Sequence, residues 1–265
     1  MTSSPTFLRS FLLAATLICT GGAAANAATA LLNEYNAGGS TTPAGDWFEI
    51  VVVGAGISGS TVDMRGWEFR VDNTPPMLAQ QRVGAFRLSQ NAYWSDVRAG
   101  TIITFFETDA STPAPPTSIL QANNFGTEGW GHTNINIDDT AFIDGSFILQ
   151  DVDYPIDENS SQFTILDRNG NIIFGPAGEG HAGYAGGGVN DLEVFKLEAN
   201  PSPSITLASP YNDGSTSTFG APNRWTNDGL QFTQDFSAFV IPEPGSVSML
   251  LMGAVGVLGK RRRRR

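Results

Sequence analysis

Few side chains in this sequence are suited to acid–base or metal chemistry: two histidines, His132 and His181, one cysteine, Cys19, and an acidic run, Asp151, Asp153, Asp157 and Glu158. An imidazole can act as a base or a metal ligand near neutral pH. Each histidine here ends a glycine-rich stretch, Gly129-Trp130-Gly131-His132 and Gly178-Glu179-Gly180-His181, where a solvated ring is the plainer expectation. H-E-x-x-H is absent, and Gly56-Ile57-Ser58-Gly59-Ser60 misplaces the last glycine of G-x-S-x-G. The acidic run offers hard oxygen ligands that could take calcium outside a cell. Asp167-Arg168-Asn169-Gly170-Asn171 superficially resembles a calcium loop but lacks the ligand spacing and the closing glutamate, so Asn169-Gly170 reads as a hairpin turn. No catalytic residue and no cofactor is expected, calcium being the one ion weighed.

Val51-Val52-Val53-Gly54-Ala55-Gly56-Ile57-Ser58-Gly59 matches the strand plus G-x-G-x-x-G fingerprint of dinucleotide sites. That pattern has mechanical meaning only when a helix follows, because the helix N-terminal amides hold the pyrophosphate. Ser60 to Trp67 carries β-branched residues early, a glycine and no apolar stripe. The glycines are expected to form a loop between two strands.

The elements that would position these groups are short. Alternating or β-branched runs fall at Leu31–Tyr35, Trp47–Val53, Trp67–Val71, Thr101–Glu107, Phe147–Val152, Phe163–Leu166, Ile172–Phe174, Leu192–Leu197 and Leu230–Val240. Gly/Asn/Asp/Pro clusters separate them, including Asp72-Asn73-Thr74-Pro75-Pro76 and Asn212-Asp213-Gly214. Charged residues are only 15%, against 30 glycines and 15 prolines, which suits many strands and tight turns better than long surface helices. The expectation is an all-β sandwich. Abundant Asn, Asp and aromatic residues, among them Trp94, Trp130 and Trp225, could meet sugars from loops, although tryptophan is as often core.

Charge is divided unevenly. Between positions 28 and 240 lie 25 acids and 8 bases, Lys196 being the only lysine there. Such a surface repels phosphate backbones, so nucleic acid is not an expected partner. Cys19 lies within residues 1–27, which read as a secretory signal: Arg9 in the n-region, Phe11 to Ile18 as the apolar core, then Ala25-Asn26-Ala27 as the cleavage pattern, with Ala25 and Ala27 the small residues. Removal of that segment leaves a chain without a thiol and hence without a disulfide.

At the other end, Ile241-Pro242-Glu243-Pro244 leads into an uncharged apolar stretch, Gly245 to Gly259, and then Lys260 with five arginines. Fifteen helical residues span about 22 Å, short of the roughly 30 Å hydrocarbon core unless the flanks help. Arginine can snorkel and stays on the cytoplasmic side. The three features in this order resemble the PEP-CTERM sorting tail of Gram-negative bacteria. The resemblance implies that Pro242, Glu243 and Pro244 form the motif recognised by an exosortase, a membrane-embedded cysteine transpeptidase. The alternative is a permanent anchor behind a rigid spacer.

Leu31-Leu32-Asn33-Glu34-Tyr35, Asp46-Trp47-Phe48-Glu49-Ile50 and Val62-Asp63-Met64-Arg65-Gly66-Trp67-Glu68-Phe69 resemble the opening of a lamin-tail domain. Ser217-Thr218-Phe219-Gly220-Ala221-Pro222-Asn223 resembles its closing motif, with Phe219 where proline is usual. The resemblance implies an immunoglobulin-like β-sandwich used for binding, spanning about 29 to 224 with loops such as 108 to 145 as insertions. Trp47 or Phe48, and Trp67 with Phe69, would pack between the sheets, while Glu34 and Glu49 would order loops or turn outward.

The expected organisation is a signal peptide, 1–27; a lamin-tail-like sandwich, 28–224; a final strand or linker, 225–241; and a sorting tail with a short transmembrane helix, 242–265. The expected role is a non-enzymatic binding or adhesion protein, exported across the inner membrane, held there transiently, then delivered to the cell surface or exopolysaccharide matrix. Its partners would be signal peptidase and exosortase during export, then exopolysaccharide or other surface proteins. A secreted hydrolase centred on His132 or His181, and a carbohydrate-binding module exposing Trp130 or Trp94, are the alternatives.

Overall fold

The computed structural model describes residues 29–36, 46–73, 82–107, 118–120, 125, 128–149, 154, 156, 161–178, 193–214 and 216–241. In chain order the strands are β1 (Ala30–Asn36), β2 (Trp47–Val52), β3 (Thr61–Val62), β4 (Glu68–Asn73), β5 (Arg82–Leu88), β6 (Val97–Arg98), β7 (Thr101–Phe106) and β8 (Ile119–Leu120). There follow β9 (Gly131–Asn136), β10 (Ile143–Leu149), β11 (Ser161–Leu166), β12 (Ile172–Gly178), β13 (Val194–Leu197), β14 (Tyr211–Gly214), β15 (Arg224–Asn227) and β16 (Leu230–Thr233). Only two short 3-10 turns, Ala92–Asp96 and Ser237–Phe239, interrupt the strands among the described residues.

Seven strands form one sheet in the order β14-β13-β1-β2-β7-β9-β8, and five form the second, β10-β5-β4-β11-β12. The fold is an all-β sandwich. All pairs of the two sheets are antiparallel except β7 with β9. Asn169-Gly170 turns β11 into β12 as expected, with Asp167 Oδ1 accepting from the amides of Asn169 and Asn171, each at 2.8 Å.

Period-two alternation explains the core. Across the large sheet, Phe195, Tyr35, Phe48, Phe105 and Ile135 are successive register partners, all buried. They meet Phe69, Phe86 and Phe163 of the small sheet, the ring centroids of Phe48 lying 5.1–6.0 Å from all three. Aromatic pairs at such spacing add to the free energy of burial itself. The solvent face of the small sheet is ionic, as alternation requires: Glu68 pairs with Arg70 and with Arg87. Phe48, Trp67 and Phe69 are thus core residues, whereas Trp47 turns to the other side of its sheet, edge-on to Phe219 at 5.1 Å.

The run Leu230–Val240 does not remain a strand. It ends at Thr233, because Asp235 accepts from the amide and hydroxyl of Ser237 at 2.8 and 3.0 Å and turns the chain. Before it, Asp228 and Gly229, both at positive φ, form a two-residue turn that folds β15 against β16 as a separate ribbon. The glycine fingerprint gives a turn between β2 and β3, with no helix after it.

Candidate functional site

One register step from the aromatic row, the large sheet carries a polar row: Asn212, Lys196, Glu34, Glu49, Thr104 and Asn134 are successive partners from β14 to β9. This is the outer face, and it is not left to water. Glu34, Glu49 and Thr104 are each 0% exposed. The β1–β2 register shifts between Leu32 and Glu34, so Asn33 is the extra residue of a bulge. Asn33 Nδ2 donates to Glu49 Oε1 at 2.7 Å.

The cover is the segment 217–223. The amide of Thr218 donates to Glu34 Oε1 at 2.9 Å, and its hydroxyl donates to Glu34 Oε2. The amide of Gly220 donates to Glu49 Oε2 at 2.8 Å. Phe219 lies between these two residues and packs on Trp47 and, edge-on at 5.9 Å, on His132. This strap needs glycine at 220: the backbone there is left-handed, φ +68°, and a Cβ would lie 2.1 Å from His132 Cε1.

Asn223 and Gln234 close the strap. Asn223 Nδ2 donates to the main-chain oxygens of Asn33 and Leu197 at 2.9 and 3.0 Å. Gln234 Nε2 donates to Asn33 Oδ1 at 2.9 Å and to the main-chain oxygen of Ala199 at 3.0 Å. The two are also joined directly, the Asn223 amide donating to Gln234 Oε1 at 3.0 Å and the Gln234 amide to the Asn223 main-chain oxygen at 2.9 Å. Arg98 then donates to the main-chain oxygen of Phe239 at 2.9 Å, fixing the last turn before the end of the described chain.

Burial sets the protonation of the row. Desolvation raises the Glu34 carboxyl, opposed by the Thr218 donors and the nearby Lys196 ammonium. Desolvation raises Glu49 too, and the charge of Glu34 raises it further, against the donors from Asn33, Gly220 and Thr104. His132 goes the other way: burial lowers it to about 4, so the ring is neutral. Its Nε2 lies 3.1 Å from Thr104 Oγ1, which is 3.0 Å from Glu49 Oε2. A hydroxyl has one proton to give. With Glu49 ionised, Thr104 donates to the carboxylate and accepts from Nε2–H. With Glu49 protonated, the only partner able to accept its proton is Thr104, which must then donate to a bare Nε2. The direction of the His132–Thr104–Glu49 chain thus depends on the histidine tautomer and on the protonation of Glu49. Its oxygens are spent on holding the strap, and His132 is covered by Phe219 and Gly220, so the arrangement works as a polar lock.

Of the residues singled out from the sequence, Glu34 and Glu49 order a loop, and the structure brings them together with Thr218 to Asn223. His132 joins them rather than standing in solvent. His181, the acids 151, 153, 157 and 158, the cleavage residues Ala25 and Ala27, and Pro242, Glu243 and Pro244 lie outside the described residues. Among the described residues, no group of three or more His, Cys, Asp or Glu is placed to hold a metal ion, and no helix is long and apolar enough to cross a membrane. Trp94 is not a sugar-facing loop residue: it is fully buried, with Nε1 donating to the main-chain oxygen of Phe142 at 2.9 Å. Trp130 is half-buried against Phe236, and Trp225 stacks on Phe232. Thr104, Lys196 and Gln234 carry no signal of a site in the sequence, and Asn33 is marked there only as a member of the Leu31–Tyr35 motif.

An all-β sandwich closed by a C-terminal strap is the class these elements define. Residues 240–265 match the PEP-CTERM protein-sorting motif. That motif belongs to proteins exported through the membrane and sorted by an exosortase to the cell surface. No curated protein and no solved structure matches the chain.

Proposed function

We propose that this chain is a non-enzymatic surface or exopolysaccharide-matrix protein, a binding or adhesion sandwich freed by signal peptidase at Ala25-Asn26-Ala27 and by an exosortase at Pro242-Glu243-Pro244. The observation that carries the reading is where the sorting motif begins. Its match starts at Val240, directly after Phe239, the fully buried residue whose main-chain oxygen Arg98 holds. The fold is therefore sealed up to the residue at which the sorting segment starts, and processing beyond it leaves the sandwich untouched.

The lamin-tail resemblance belongs to the same reading. Its motifs lie far apart in sequence, and the polar lock joins them: Asn33 and Glu34 from the first, Glu49 from the second, Thr218 to Asn223 from the last. The proposed organisation is accordingly a signal peptide, 1–27, a lamin-tail-like sandwich, 28–224, a final strand or linker, 225–241, and a tail, 242–265, whose apolar stretch is a short membrane helix. Intact-mass analysis of the protein from its native host tests this. Loss of everything before Ala28 and of the arginine cluster is expected. A processed N-terminus with the arginines retained indicates a permanent anchor, and an unprocessed chain in the cytosol overturns the proposal.

A further inference from the structure

The β15–β16 ribbon is a separate two-stranded sheet and leaves a groove of about 500 Å³ between itself and the edge strand β14 with its neighbour β13. That volume falls in the range of roughly 300–1,000 Å³ typical of small-molecule sites. On the ribbon side, Trp225 and Phe232 are register partners whose rings stack at 5.7 Å with 16° between planes. Both rings line the groove, and Phe232 remains 41% exposed. Phe232 is exposed and Trp225 half-buried on a ribbon whose other residues are all exposed.

The charges of the groove narrow the ligand. Lys196 and Arg224 are matched by Glu198 and Asp213, so the lining is neutral on a protein that is strongly acidic elsewhere. An anionic polymer meets an unfavourable field on approach and no net attraction on arrival. A nonpolar ligand would strand these charges without partners. A chain of sugar rings satisfies both surfaces: its C–H faces lie on aromatic rings, and its hydroxyls both donate and accept.

We propose that this groove binds a short stretch of uncharged polysaccharide, with sugar faces on Trp225 and Phe232 and hydroxyls bonded to the mixed donors and acceptors opposite. The site supplies the ligand class for the exported binding sandwich proposed above, and it depends on that reading only for where the protein meets its ligand.

The test uses full-length protein in a zwitterionic detergent without a sugar headgroup. Cellohexaose, maltohexaose and isomaltohexaose are titrated by calorimetry, with an alginate hexasaccharide as the anionic contrast. At least one neutral hexasaccharide is expected to bind, and Trp225→Ala and Phe232→Ala each to weaken it tenfold or more. Gln231→Trp, which fills the groove from an exposed position without removing the platform, should weaken it as well. Binding of none of the neutral sugars, binding of alginate alone, or binding indifferent to all three variants overturns the proposal. Sorting is read separately from loss of Arg261 to Arg265 in the native host. A chain that sorts normally but binds no sugar loses the groove and keeps the export reading; one that binds sugar but is never exported does the reverse.

Discussion

Asn223 and Asn33, 190 positions apart, are joined both ways: Asn223 Nδ2 donates to the Asn33 main-chain oxygen at 2.9 Å, and Asn33 Nδ2 donates to Asn223 Oδ1 at 3.2 Å. Asn33 is free to do this because it is the unpaired residue of the β1 bulge, which leaves its carbonyl outside the ladder. A one-residue irregularity near the start of the sandwich thus creates the socket into which the end of the chain plugs. The strap is a long-range closure, and these polar partners fix its path across the sheet.

Replacing Asn223 with alanine therefore leaves the main-chain oxygen of Asn33 buried and short of a donor, while that of Leu197 keeps the longer bond from Gln234 Nε2 at 3.2 Å. A buried group left without its partner costs about 1–3 kcal/mol. Urea denaturation of the variant should show a loss of about 1–3 kcal/mol on that basis. Hydrogen exchange should rise first at Thr218 and Gly220, whose amides are held by Glu34 and Glu49. A variant as stable as the parent would mean that the knot contributes nothing.

The two carboxyls give stability a pH dependence with a defined sign. Both are raised in the fold, Glu34 to about 7 and Glu49 to about 8, so the native state holds protons that the unfolded chain releases above the ordinary carboxylate range. Their contribution is fully present below about pH 4.5 and is lost as pH rises through neutrality. His132, lowered from 6.5 to about 4, acts oppositely: its contribution is present above pH 6.5 and is lost as pH falls toward 4. Stability should therefore peak in mildly acidic solution and decline toward pH 9. Glu49→Gln loses one acceptor and is weaker at pH 5 than the parent, but its decline from pH 6 to 9 should be shallower. Denaturation midpoints measured across that range decide it, and a parent curve flat from pH 6 to 9 would count against a buried protonated carboxyl.

The aromatic core was legible in the sequence because local alternation writes it. Trp47–Val53 and Thr101–Glu107 place every second side chain inward, and the Asn169-Gly170 turn fixes a register without help. Strands β5 and β9 were not legible. Arg82–Leu88 is broken by Gly84 and Ala85, and Gly131–Asn136 is mostly polar. The reason for β9 is physical: it lies in parallel beside β7, and Thr133 and Asn136 are buried rather than solvated, so no apolar–polar contrast marks it. The lock was legible only in fragments. Glu34 and Glu49 stood out as loop-ordering acids, but Thr218 lies 184 positions from Glu34, and no local pattern encodes such a pairing. Trp94 misled because its turn is capped by Asn91 and reads as a polar loop, while its ring is buried in the core.

Gly220 offers the sharpest separation of backbone from side-chain effects. Alanine there must hold φ +68°, which costs about 1–2 kcal/mol, and its methyl group would overlap the His132 ring at 2.1 Å. The single substitution should destabilise by more than about 2 kcal/mol, since the ring is wedged between the strap and Thr104 and has little room to yield. His132→Ala removes the obstacle and by itself vacates a half-buried polar site. In the double variant the methyl group meets space, so only the backbone penalty of Gly220→Ala should persist. A double-mutant cycle from denaturation curves is thus expected to show the pair less destabilised than the sum of the singles, by about 1 kcal/mol or more. Additive effects would mean that the strap does not press on the histidine, and that the hydrogen bond from Gly220 to Glu49 alone sets its path.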